Sequence, residues 1–229
     1  MRTISTLAAA AALLSLTVPA GAATVTDPAG DFLGSYTGAQ NGDLDIRSAT
    51  AIFDGTDFRL SAQVNGTVGT SVGSLFVFGI NRGAGTERLM LGSPAAGSGI
   101  LFDAVAVLFP DGTGRIATFP AAGAPTITNL PGAITVSGNT ISGLFPSALL
   151  PSRGFAAQDY GFALWSRLRV NPALDGTNAE LADFAPNASN FRATAVPEPG
   201  TWAMLLIGFA AVGASLRRGR TALAVPRPV

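Results

Sequence analysis

The stretch Phe58-Arg59-Leu60-Ser61-Ala62-Gln63-Val64-Asn65 alternates apolar and polar residues along its whole length. A period of two puts the apolar side chains on one face of a strand and the polar ones on the other, so this stretch predicts a half-buried β-strand. Just upstream, Ile46 to Phe53 is a second strand candidate. Asp54-Gly55-Thr56-Asp57 joins the two as a hairpin, because Asp-Gly supplies the positive φ of a tight turn.

Further along, Leu75 to Asn81 and Ile100 to Phe109 are more continuously apolar, which predicts central strands covered on both faces. Pro110-Asp111-Gly112-Thr113-Gly114 is a turn, and Arg115 to Phe119 returns from it. Thr126 to Leu130, Ile134 to Ser137 and Thr140 to Phe145 are shorter strands separated by Pro-Gly and Gly-Asn signals. Pro146 to Leu150 suits one helical turn with Pro at its first position. Tyr160 to Val170 is the last long strand, and Ala193 to Pro199 reads as a short tether. Gly and Pro interrupt the helical candidates. Many short strands joined by Gly-rich turns predict an all-β fold, an antiparallel β-sandwich of jelly-roll type.

Composition excludes several chemistries. The chain has 229 residues and no formal net charge, with neither Cys nor His. Disulfides, Cys-ligated zinc, a Ser-His-Asp triad and most zinc or copper sites are therefore excluded. All 14 basic residues are Arg, so neither a Schiff base nor a P-loop lysine is available. Between residues 24 and 195 thirteen acids face nine arginines, and no basic patch predicts nucleic-acid binding.

Both ends read as targeting segments. Arg2, the apolar run Leu7 to Leu16 and the small residues Ala20-Gly21-Ala22-Ala23 form a signal peptide over 1–23, with signal peptidase cutting after Ala22 or Ala23. The other end runs Val196-Pro197-Glu198-Pro199-Gly200-Thr201-Trp202-Ala203, then an uncharged apolar stretch to Leu216, then Arg217-Arg218-Gly219-Arg220. A helix over 201–216 spans roughly 24 Å, against about 30 Å of hydrocarbon core, and inserts with local thinning. Trp202 suits one interface, and the positive-inside rule keeps Arg217, Arg218 and Arg220 cytoplasmic as a basic stop.

This order of parts resembles the PEP-CTERM sorting signal, in the variant with Trp-Ala after Pro-Glu-Pro, over residues 196–220 with a tail at 221–229. The resemblance implies an exported protein. Its precursor is anchored in the inner membrane, recognised by an exosortase-type membrane protease and cut near Pro197, Glu198 and Pro199, with Trp202 and Ala203 completing the motif. Its destination is the cell surface or the exopolysaccharide matrix of a biofilm.

The body, 24–195, opens with Asp27-Pro28-Ala29-Gly30-Asp31 and Asn41-Gly42-Asp43-Leu44-Asp45-Ile46. This opening resembles that of DOMON-like sandwiches, related to the ninth family of carbohydrate-binding modules. Arg82-Gly83-Ala84-Gly85 and Phe102-Asp103-Ala104-Val105 resemble stretches of other exported proteins with such a tail. Haem-binding DOMON proteins use Met and His ligands, so without His no haem is expected.

Asp27, Asp31, Asn41, Asp43 and Asp45 bring oxygen ligands together across two loops, as calcium requires. The same residues also serve as turn caps, and the spacing leaves both readings open. Trp165, in mid-strand, suits either a core position or a carbohydrate-stacking platform. Asp103, in an apolar run, reads as an edge or solvent-facing residue, and the two Glu of the body, Glu87 and Glu180, sit in no motif. The expectation is a non-catalytic sandwich that binds polysaccharide or a matrix partner. The alternative is a divergent extracellular hydrolase using paired carboxylates. An exposed aromatic row involving Trp165, Tyr36 or Tyr160 points to the first, and a cleft with two facing carboxylates to the second.

Overall fold

A computed structural model describes residues 23–89, 95–169, 180–195 and 204–214. In chain order its strands are β1 (Ala23–Thr26), β2 (Ile46–Phe53), β3 (Asp57–Val64), β4 (Ser74–Asn81), β5 (Thr86–Glu87), β6 (Leu101–Phe102), β7 (Ala104–Leu108) and β8 (Gly114–Thr118). There follow β9 (Thr126–Leu130), β10 (Ile134–Ser137), β11 (Thr140–Pro146), β12 (Gly161–Leu168), β13 (Leu181–Ala185), β14 (Phe191–Arg192) and β15 (Thr194–Ala195).

The strands form two packed sheets. The first has the order β1-β2-β3-β11-β10, and the second β13-β12-β4-β7-β8-β9. The β2–β3 hairpin turns at Gly55, whose φ is +99°, and the Asp54 carboxylate accepts the N–H groups of Thr56 and Asp57 at 3.0 and 2.8 Å. On β3, Phe58, Leu60, Ala62 and Val64 point inward and are buried, while Arg59 and Gln63 are exposed. A bulge between Ile46 and Ser48 keeps both Ile46 and Ala49 on the core side of β2.

The interlayer core is aromatic. Phe58 lies 5.5 Å, centroid to centroid, from both Tyr160 and Phe162, and Phe76, Phe78 and Phe145 are fully buried. Burying each such ring contributes about 1.5–3 kcal/mol.

The second sheet is buried on both faces. Phe76, Phe78 and Ile80 of β4 face the interlayer core, whereas Val77 joins Val105, Val107, Trp165 and Phe184 in a separate outer cluster. The hairpin of β5 and β6 lies over this side, and Phe102 of β6 meets Trp165 at 5.3 Å.

Several expectations are corrected. The apolar run Ile100 to Phe109 is split at Asp103, which is neither at a solvent edge nor solvent-facing. It is fully buried, accepts Arg82 Nε at 2.8 Å, and also accepts the N–H groups of Arg82 and Ala84. Arg82 reaches Pro151 O as well, so the Arg82-Gly83-Ala84-Gly85 stretch is a structural knot. Gly83 has φ +118°, and a Cβ there would stand 2.7 Å from Phe155 N, which makes glycine obligatory. The turn after β11 is the 3-10 segment Ser147–Leu149, with Pro146 before it. The tether begins as a strand, since Thr194 and Ala195 pair in parallel with Ile52 and Phe53.

Residues 204–214 are helical, and all of them except the half-buried Leu205 are exposed. No helix among the described residues is long and apolar enough to cross a membrane. The signal peptide as far as Ala22, the sorting residues Pro197, Glu198, Pro199, Trp202 and Ala203, and the basic stop Arg217, Arg218 and Arg220 lie outside the described residues. Ala23 is the first residue of β1 and pairs with Ala51.

Candidate functional site

Strand alternation on the second sheet sends one set of side chains away from the interlayer core, and there an open groove of about 1160 Å³ forms. Val77 of β4, Val105 and Val107 of β7, Phe102, Phe119 and Trp165 supply its apolar lining. Arg88 lays its guanidinium 4.8 Å from the Phe119 ring centre, and Arg115 lies 5.2 Å from that of Phe109. Such cation–π contacts hold the planar forks at the groove with about 0.5–1 kcal/mol each. Arg88 Nε donates to Phe102 O and Arg115 Nε to Asn129 Oδ1.

Trp165 Nε1 and Ser74 Oγ, both of groove residues, are buried without a hydrogen-bond partner. An unmatched buried donor costs about 1–3 kcal/mol. Trp165 itself is only 2 % exposed and is held between Phe102 and Phe184 over Gly79. An open stacking platform at Trp165 is therefore corrected to a buried ring at the groove. Tyr36 and Tyr160 are buried too, and Phe155 is the only exposed aromatic among the described residues of the body.

The groove carboxylates are Asp111 and Glu180. The hydroxyl and N–H of Thr113 hold the Asp111 carboxyl below its usual range. Glu180 pairs with Arg167.

The acidic opening is divided by the fold. The 3-10 turn Gly42–Leu44 directs Asp43 to Ser71, whose N–H and hydroxyl it accepts at 2.7 Å each, and Asn41 donates to the same hydroxyl. Asp45 instead accepts the N–H of Gly30, at 3.0 Å to each oxygen, and the side-chain amide of Asn65. Asn41 and Asp43 thus stand apart from Asp27 and Asp31, which converge with a residue not anticipated, Asp183 of β13. Ligand atoms of these three carboxylates lie within 4.8 Å of one another. Burial, then the neighbouring Asp31 and Asp45, push the Asp27 carboxyl up to about 7. Burial likewise pushes Asp183 up to about 8, even though it accepts the N–H groups of Ile46 and Phe184.

Residues 195–220 match the family model of the PEP-CTERM protein-sorting motif. No curated protein and no solved structure matches the chain.

Proposed function

We propose that this chain, which carries a PEP-CTERM protein-sorting motif, is a surface-sorted β-sandwich whose groove on the second sheet binds a carbohydrate chain of the extracellular matrix. The motif implies an exported, envelope-associated protein and an exosortase as its processing partner. In this reading the apolar tail inserts in the inner membrane before it is cut, and the exposure of Met204, Leu206, Ile207 and Phe209 on the helix supports that role. The layout of the first sheet suits it as well. Ala23 pairs with Ala51 and Thr194 with the adjacent Ile52, so both ends of the body leave from one corner, on the sheet opposite the groove. Signal cleavage after Ala22 keeps β1 whole. Cleavage near Pro197, Glu198 and Pro199 leaves β15 in place.

The observation that carries ligand binding is the groove itself, largely apolar and flanked by the guanidinium groups of Arg88 and Arg115. Sugar rings present apolar C–H faces and peripheral hydroxyls, which match such a lining and the guanidinium groups of Arg88 and Arg115. The body is read as non-catalytic, because a glycosidase needs a protonated carboxyl beside the bond it breaks. Asp111 is held in its ionised form and Glu180 is ion-paired. The second reading, a hydrolase using Asp111 and Glu180, rests on their sharing one groove.

Polysaccharide purified from the medium of the producing cells tests both readings. Co-sedimentation with the full chain without release of reducing ends supports a binding module. Release of reducing ends that stops in Glu180→Gln supports the hydrolase. Mass spectrometry of the mature protein tests sorting, and a form that keeps Trp202 to Arg220 contradicts cleavage.

A further inference from the structure

We propose that Asp27, Asp31 and Asp183 form a calcium site that clasps the opening of the chain to the second sheet. Asp27 and Asp31 flank the turn at Gly30 in the loop after β1, and Asp183 is on β13, so one loop and one distant strand supply the three. Asp27 is only 7 % exposed, yet its Oδ2 has no hydrogen-bond partner, and neither has Asp31 Oδ1. Both belong to the carboxylates that converge within 4.8 Å. Buried carboxyl oxygens without hydrogen-bond partners are costly unless a cation completes them.

Arg47 exerts a cationic influence on Asp27, yet its Nη1 is itself buried without a hydrogen-bond partner. The remaining Asp31 oxygen receives only a 3.3 Å bond from Asn187. Asp183 accepts one N–H on each oxygen, and each oxygen retains a lone pair for a metal.

The dimensions and chemistry favour calcium. Oxygens on opposite sides of a calcium bound at 2.3–2.6 Å are about 4.6–5.2 Å apart, whereas magnesium, at 2.0–2.1 Å, draws them to about 4.2 Å at most. All three donors are hard carboxylate oxygens, which disfavours zinc and copper. Asp45 acts as a positioning residue. Its carboxylate is occupied by Gly30 and Asn65, and it fixes the turn that carries Asp27 and Asp31. A bridged ion joins the first sheet's leading strand to an edge strand of the second.

The test is thermal unfolding of the full chain in detergent, with calcium chloride or with chelator, together with calorimetric titration of calcium alone. The expected result is one ion per chain and a Tm higher by about 5–10 °C at a hundredfold excess over Kd, with a smaller shift from magnesium. Asp31→Asn removes the response and Asp43→Asn, on Ser71, retains it. Superimposable curves with calcium and chelator, with no heat of binding, overturn the site. A calcium response that persists in Asp31→Asn also overturns it, because the ion then binds elsewhere.

Discussion

The two sheets of this sandwich present opposite kinds of outer face. On the first, Arg59 and Gln63 meet water while Phe58, Leu60, Ala62 and Val64 fill the core, so one face is solvated and needs no cover. On the second, Val77, Val105, Val107 and Trp165 point away from the interlayer core into a buried outer cluster that includes Phe102 of β6. These side chains are themselves buried there, and the groove opens over them. In the proposed function this groove is the binding face.

The contrast predicts unequal costs. The largest effect falls at Asp103, where the outer hairpin joins the second sheet. Asp103→Ala leaves Arg82 buried and uncompensated, so urea unfolding should show a loss of about 3–5 kcal/mol. Arg59→Ala, on the solvated face, should change stability by no more than about 0.5 kcal/mol. Equal effects would mean that the outer layer is not anchored there. Next, Gly79→Ala places a Cβ 2.7 Å from the Trp165 ring. It should cost about 1–3 kcal/mol and shift tryptophan emission, and an unshifted spectrum would show a looser outer layer.

Arg88→Ala combined with Arg115→Ala should cost no more than about 2 kcal/mol of stability while weakening polysaccharide binding about tenfold, as co-sedimentation would measure. The smallest effect is the first sheet's own. The N–H groups of Asp57 and then Thr56 hold the Asp54 carboxyl below its ordinary 3.8. With the folded value lowered, this contribution is present above pH about 4 and lost as pH falls through the folded value. It should amount to less than about 1 kcal/mol at this exposed turn and vanish in Asp54→Ala, as acid titration of unfolding would show.

Much of this architecture is legible in the residues. β2, β9 and β10 coincide with their sequence expectations, because Asp-Gly, Pro-Gly and Gly-Asn turns bracket them. The continuous apolarity of β4 and β7 correctly signals strands covered on both sides. β1 was hidden because it overlaps the small-residue cleavage pattern. β13 was hidden because Leu181-Ala182-Asp183-Phe184-Ala185 has no clean alternation.

The same strand explains the incomplete acidic site. Asp183 is remote in sequence from Asp27, and only its position in a short apolar run signals a special role. Asn41 and Asp43 looked equivalent to Asp45, but the turn at Gly42–Leu44 separates them, a distinction that spacing alone does not carry. Asp103 was misread because its partner, Arg82, arrives from another strand. The groove was not legible at all, since its lining comes from several strands and loops far apart in the sequence.

The most direct test of the binding face uses Trp165 as its own reporter. The chain has 2 tryptophans, so Trp202→Phe leaves Trp165 as the only indole. On titration with the producing cells' polysaccharide, Trp165 emission should change saturably, with a midpoint about tenfold higher in the Arg88→Ala, Arg115→Ala background. Polysaccharide that co-sediments with the protein yet leaves Trp165 emission unchanged to saturation would contradict the groove as the site.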